Sequence, residues 1–247
     1  KWKVICVDRK TGQIEWEKRF LSGEATAVSN YNSQATPTPF IWDKYIYAYF
    51  GSAGMISLDT NGTRKWENRD LPFESIHGAG SSPIPCSHGI VLLNSMGKDS
   101  YLTLLDFNTG NPLWKTELGN GEGSSGEYRT PILFHMGDRE YIIDWSYIRN
   151  EIALYDSGTG EAAYRYITEW SYEGEPVTTV LLNDSIIYLS CPLNIAAIDL
   201  ARLLSGRPPM IWLTDLNRKG PCTSSPVMAY GLIFAISDNG FVSCLNS

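Results

Sequence analysis

A short motif recurs through this chain at a spacing that only a few architectures accommodate. It consists of an Asp, a short gap, Thr-Gly or Asn-Gly, and an aromatic residue four places after the Gly. The copies are Asp8–Gly12–Trp16, Asp59–Gly62–Trp66, Asp106–Gly110–Trp114 and Asp156–Gly160–Tyr164. A stretched fifth copy has Asp199, Gly206 and Trp212, and Asn246 holds the first place of a sixth. Successive Asp residues lie 51, 47, 50 and 43 residues apart, and Asn246 follows Asp199 by 47. A period of about 40–50 residues with strand-like content means a propeller or a stacked array of sheets.

Each period divides into four short strands. In the second unit these are Thr38–Trp42, Tyr45–Phe50, Met55–Asp59 and Arg64–Asn68, separated by Asp-Lys, Ser-Ala-Gly and Thr-Asn-Gly turns. The alternation in "YIYAYF" is strongly β-forming, and the charges of "RKWEN" suit an outer edge. The chain therefore reads as an all-β propeller region of four-stranded antiparallel blades. Whole blades are expected at 35–71, 78–118, 128–167 and 176–216, with partial blades at 1–20 and 222–247. Ala201–Ser205 is expected to make one helical turn in the stretched fifth connection. Two connections, 21–34 and 119–127, lack strand patterning, and the second ("GNGEGSSGE") has the composition of a mobile linker.

The repeated residues have mechanical uses. An Asp at the end of a third strand can accept hydrogen bonds from the backbone N–H groups of the following turn. The Gly supplies positive φ. The aromatic residue falls in the outer strand, where its area can pack between adjacent blades. Replacing Trp66 or Trp114 by Ala is expected to cost about 3–5 kcal/mol where the indole is buried.

Composition excludes several functions. Hydrophobic residues make up 43% of the 247 and charged residues 19%, a globular balance. A net charge of -7 argues against a nucleic-acid surface, which needs a basic patch. The longest apolar runs, such as Ile186–Ser190, fit single strands and none could span a membrane as a helix. Five cysteines are scattered without a C-x-x-C pair, and three histidines show no ligand spacing.

The sentence D-x-x-T-G-x-x-x-W, introduced by S-S-P, resembles the PQQ-like β-propeller repeat. The stretches "ICVDRKTGQIEWEKRF", "FESIHGAGSSPI" and "SSPVMAYGLIFAISDNGFVSCL" carry the likeness over almost the whole chain. That family includes quinoprotein alcohol dehydrogenases, the propeller lipoprotein of the outer-membrane barrel-assembly machinery, and many secreted or periplasmic propellers. The resemblance implies a ring of seven or eight blades, of which this chain is an internal section. It also implies a periplasmic or extracellular location. Self-association through open blade edges is a further expectation. The open arc is favoured over a small closed ring, which would bring Cys6 near Cys244.

Two functions are open at this point. One is a non-enzymatic scaffold that binds a protein partner or extracellular ligand, with no cofactor. Its surface candidates are the aromatics outside the repeated position: Trp42, Trp145, Trp170 and Tyr172. The alternative is a PQQ- and calcium-dependent alcohol or sugar dehydrogenase, or a degenerate relative. The resemblance then implies an Asp base, Glu/Asn/Asp metal ligands and, outside a sugar-oxidising branch of the family, adjacent cysteines. No Cys-Cys pair occurs here. Asp144 and Asp238 are the candidate bases, although each reads more simply as a strand-end or turn residue. In the loop Phe73–Pro83, Glu74 and His77 are the other candidate cofactor contacts, with Gly78 and Gly80 allowing close backbone approach. The simpler reading of that loop is a crossing between blades.

Overall fold

The repeated Asp organises its turn in the same way in blade after blade. In the computed structural model, Asp8 Oδ1 accepts from the N–H groups of Lys10 and Thr11 and from the Thr11 hydroxyl. These bonds hold the Asp8 carboxyl below the ordinary carboxylate range, the Thr11 hydroxyl contributing most. Asp106 repeats the pattern with Asn108 and Thr109. Asp59 bonds Asn61 and Thr63, and Asp156 bonds Gly158 and Thr159. Asp199 differs. It caps the helix α1 (Leu200–Leu204), accepting from Ala201 and Arg202 N–H. The expected single helical turn thus starts at Leu200, one residue early, because Asp199 is a good N-cap.

The structure describes residues 2–20, 33–72, 75, 77–95, 99–119, 127–169, 177–190, 194–216 and 223–247. They form two compact units, 1–126 and 127–247. The first unit holds three antiparallel sheets. One has two strands, β1 (Trp2–Val7) and β2 (Ile14–Phe20). The second is β3 (Phe40–Trp42), β4 (Tyr45–Tyr49), β5 (Met55–Asp59) and β6 (Arg64–Asn68). The third is β7 (Ile84–Cys86), β8 (Gly89–Asn94), β9 (Tyr101–Leu105) and β10 (Pro112–Glu117).

The second unit holds two four-stranded sheets and one of three strands. The strands are β11 (Ile132–Met136), β12 (Arg139–Ser146), β13 (Glu151–Asp156) and β14 (Ala162–Ile167), then β15 (Leu181–Asn183), β16 (Ile186–Ser190), β17 (Asn194–Asp199) and β18 (Met210–Asp215). The last sheet is β19 (Val227–Ala229), β20 (Leu232–Ile236) and β21 (Val242–Asn246). Every sheet is a meander whose strands pair in chain order. No helix among the described residues is long and apolar enough to cross a membrane.

The middle strands explain the apolar runs. Every residue of β8 and of β9 is buried, so these strands are covered on both faces and carry no polar alternation. In the first unit the two-stranded sheet packs on its neighbour, with Trp2, Val4 and Trp16 against Ala48, Phe50, Ile56 and Leu58. In the second, Trp212 of β18 packs against Ile195, Ala235 and Leu245, joining the last two sheets.

Two contacts recur between adjacent sheets. The Trp16 indole N–H donates to Thr60 O (3.0 Å), and that of Trp66 to Phe107 O (2.9 Å). In each case the acceptor follows the Asp of the next repeat, so the indole of one blade seats on the turn of the next. The second contact uses the S-S-P motif. Ser82 Oγ accepts from Thr38 N–H, and Ser225 Oγ from Thr179 N–H, both at 2.9 Å.

The seating explains one glycine. Gly110 has φ 71°, and a Cβ there would lie 2.5 Å from the Trp66 ring. Gly12 has φ 72° but open space around it. Gly12→Ala is therefore expected to cost only the left-handed strain, about 1–2 kcal/mol, and Gly110→Ala distinctly more. Chemical-denaturation midpoints of the two variants check this, and equal losses would refute it.

Candidate functional site

Glu74, Trp170 and Tyr172 lie outside the described residues. His77 is half-buried, and its backbone N–H donates to Ser75 Oγ at 3.1 Å. Asp238 sits in the exposed turn between β20 and β21 and accepts from the Thr223 hydroxyl (2.6 Å) and N–H (3.2 Å). Asp144 is neither at a strand end nor in a turn. It lies inside β12, 1% exposed, because that strand continues through Trp145 and Ser146. Trp145 is likewise 1% exposed, so it is a core residue rather than a surface aromatic.

Asp144 is the centre of the most strongly charged buried cluster among the described residues. Its Oδ1 accepts from Arg129 Nη2 (2.6 Å) and Nε (3.1 Å), and its Oδ2 from Arg149 Nη2 (2.5 Å). Arg129 also pairs with Glu127. Arg149 reaches Glu151 Oε1 at 3.4 Å, and Arg165 Nη1 binds the same carboxylate at 2.7 and 2.8 Å. The order Glu127, Arg129, Asp144, Arg149, Glu151, Arg165 alternates in sign and sums to zero. Each interior charge has partners on two sides, which desolvation requires of it.

The cluster fixes how the blade begins. Glu127 accepts from the Ser146 hydroxyl (3.0 Å) and from the N–H groups of Tyr147 (2.7 Å) and Ile148 (3.3 Å). The segment entering β11 is thereby bolted to the link between β12 and β13. Glu127 is the last residue of the connection read from composition as a mobile linker, yet it is fully buried. The next blade fastens its entry with a neutral bond, Thr178 Oγ1 to Ser190 O.

The electrostatics follow from this geometry. Burial opposes ionisation of Asp144, but Arg129 and Arg149 outweigh it and hold the carboxyl below its ordinary range. Burial likewise opposes the Arg129 charge, and Asp144 and Glu127 reverse that too. Burial, with Asp144 nearby, pushes the Tyr155 hydroxyl up to about 12. Both Asp144 oxygens are engaged by guanidinium groups, and the residue is 1% exposed.

A second feature lies in the first unit. Trp42, 44% exposed, stacks on Phe107 with rings 5.6 Å apart and 2° from parallel. Phe107 in turn tilts against Tyr47, which stacks on Phe40. Lys65 Nζ lies 3.7 Å from the Tyr45 ring centre and 3.1 Å from Asn108 Oδ1. The stack links two sheets and ends at an accessible indole. Sequence reasoning marked Trp42 but not its partner Phe107, which stands where other repeats have Arg9, Thr60, Ser157 and Leu200.

Comparison with known proteins gives the family and fold. A family model described as outer membrane protein assembly factor BamB matches residues 1–202. No curated protein matches the chain. Among solved structures, BamB from Moraxella catarrhalis is similar with a TM-score of 0.64 at 16% identity, over 95% of this chain and 65% of that one. A quinohemoprotein alcohol dehydrogenase from Comamonas testosteroni gives 0.60 at 16%, over 87% and 43%. The computationally designed Ika8 protein gives 0.56 at 12%, over 85% and 57%. The chain spans less than two thirds of the length of each. At such identities the likeness shows the fold: an all-β propeller of four-stranded antiparallel blades, four whole and two partial.

Proposed function

The chain belongs to the family described as outer membrane protein assembly factor BamB, and on that premise we propose that it is a non-enzymatic propeller acting outside the cytoplasm as a protein-interaction scaffold. The observation that carries this reading is the state of Asp144. It is the more enclosed of the two candidate bases, and it sits at the middle of a chain of alternating ion pairs. The exposed end of the Trp42–Phe107 stack supplies a surface a partner protein can use.

The charge pairing of the arginines supports the same reading. The arginines Arg129, Arg149 and Arg165, which could neutralise an anionic quinone, are already paired with acids. The test is optical. Purified chain titrated with PQQ and Ca²⁺ is expected to show no stoichiometric bound-quinone absorbance and no dye reduction with alcohols or sugars. Stoichiometric binding with calcium-dependent turnover would establish the dehydrogenase reading instead.

A further inference from the structure

The five outer strands, aligned on their repeated aromatic, can be compared at the position that follows it. The residue after the aromatic is Glu17, Glu67, Lys115, Arg165 and Leu213. The first four are charged and paired: Glu17 with Lys3 (3.1 Å), Glu67 with Arg64 (2.9 Å), Lys115 with Glu117 (2.8 Å) and Arg165 with Glu151 (2.7 Å). Charges on an outer strand keep other chains from pairing with it. β18 has lost that protection. Ile211 and Leu213, on either side of Trp212, are 39% and 41% exposed, and Met210 is also accessible. β18 ends its sheet, with no further strand beside it among the described residues.

We propose that β18 is a homotypic docking edge, through which two copies of this chain pair antiparallel about a two-fold axis. With the axis at Trp212, Ile211 of one copy lies across from Leu213 of the other, and Met210 across from Thr214. Asp215 faces Pro209, so no like charges meet. The edge is thus complementary to itself, as an isologous contact requires. Aliphatic cross-strand pairs and a new ladder of backbone bonds supply the attraction. One six-residue strand per copy covers less area than a standard stable interface, so a weak, concentration-dependent dimer is expected.

Sedimentation velocity on the whole chain, from low micromolar to submillimolar concentration, tests this. A dimer fraction that rises with concentration is expected. Ile211→Lys and Leu213→Lys should each weaken it by about tenfold or more, while Leu113→Lys on β10 leaves it unchanged. If one lysine variant misfolds by circular dichroism, the other still decides. Hydrogen exchange gives an independent readout, because β18 amides of the wild type should become protected as concentration rises. A monomer at every concentration overturns the proposal. So does a dimer that ignores both lysines, or one without β18 protection. A monomer whose β18 is protected only by an added unrelated strand peptide assigns the edge to another protein, and also overturns it.

Discussion

Asp144→Ala is expected to lower the free energy of unfolding by about 3–5 kcal/mol, the usual cost of removing one partner from a buried ionic set. The loss comes from the charges left behind. Arg129, 2% exposed on its side chain, would lose its contact with Asp144 beside Glu127, and Arg149 would lose its 2.5 Å bond to the same carboxylate. The pH dependence has a definite sign. The folded carboxyl titrates below its ordinary value, so its contribution is complete above the unfolded pKa of about 3.9. It is lost only as pH falls through the lower folded value. The difference between wild type and Asp144→Ala should therefore be flat through neutral pH and shrink only in acid below about pH 4. Urea midpoints across pH check both statements. A variant within about 1 kcal/mol of wild type at neutral pH would mean that the cluster is solvated and that Glu127 is held by other means.

How much of this was legible in the sequence depends on distance along the chain. The Asp turns were legible because their bonds span two to four residues, as with Asp8 to Thr11 and Asp59 to Thr63. Gly12 and Gly62 follow from the same local geometry. The use of Trp66 was half legible: its size pointed to packing between blades, while its seat on Phe107 and Gly110 lies more than forty residues away. The links from Ser82 to Thr38 and from Ser225 to Thr179 were missed for that reason. The charge cluster was missed differently. Asp144 reads as a strand-end or turn residue, although "YIIDWS" and "NEIALYD" place acids beside apolar strand residues, which is itself a signal that Asp144 and Glu151 need cationic partners. Glu127 was concealed by the Gly/Ser-rich run before it. Composition describes a segment on average, and one anchored carboxylate at its end does not alter the average.

Trp66→Ala is expected to cost about 3–5 kcal/mol, and its coupling to Gly110 gives the stricter test. Trp66 is 8% exposed; its ring tilts against Tyr47 at 5.9 Å, and its N–H is spent on Phe107 O. Asn68 on the same strand donates to Gly110 O, so the turn is gripped from both sides of the indole. Trp114 is only half-buried, and Trp114→Ala should therefore lose distinctly less, although the motif makes the two positions look alike. In the wild-type background Gly110→Ala suffers two penalties, the left-handed strain and the collision with the ring 2.5 Å away. Removing the ring abolishes the second. In the Trp66→Ala background, Gly110→Ala should then cost only about 1–2 kcal/mol of backbone strain, and the double-mutant cycle should be strongly non-additive. Guanidinium denaturation of the four proteins measures the cycle. Additive losses would show that the indole does not rest on the neighbouring blade's turn, and would leave the repeated tryptophan without its stapling role.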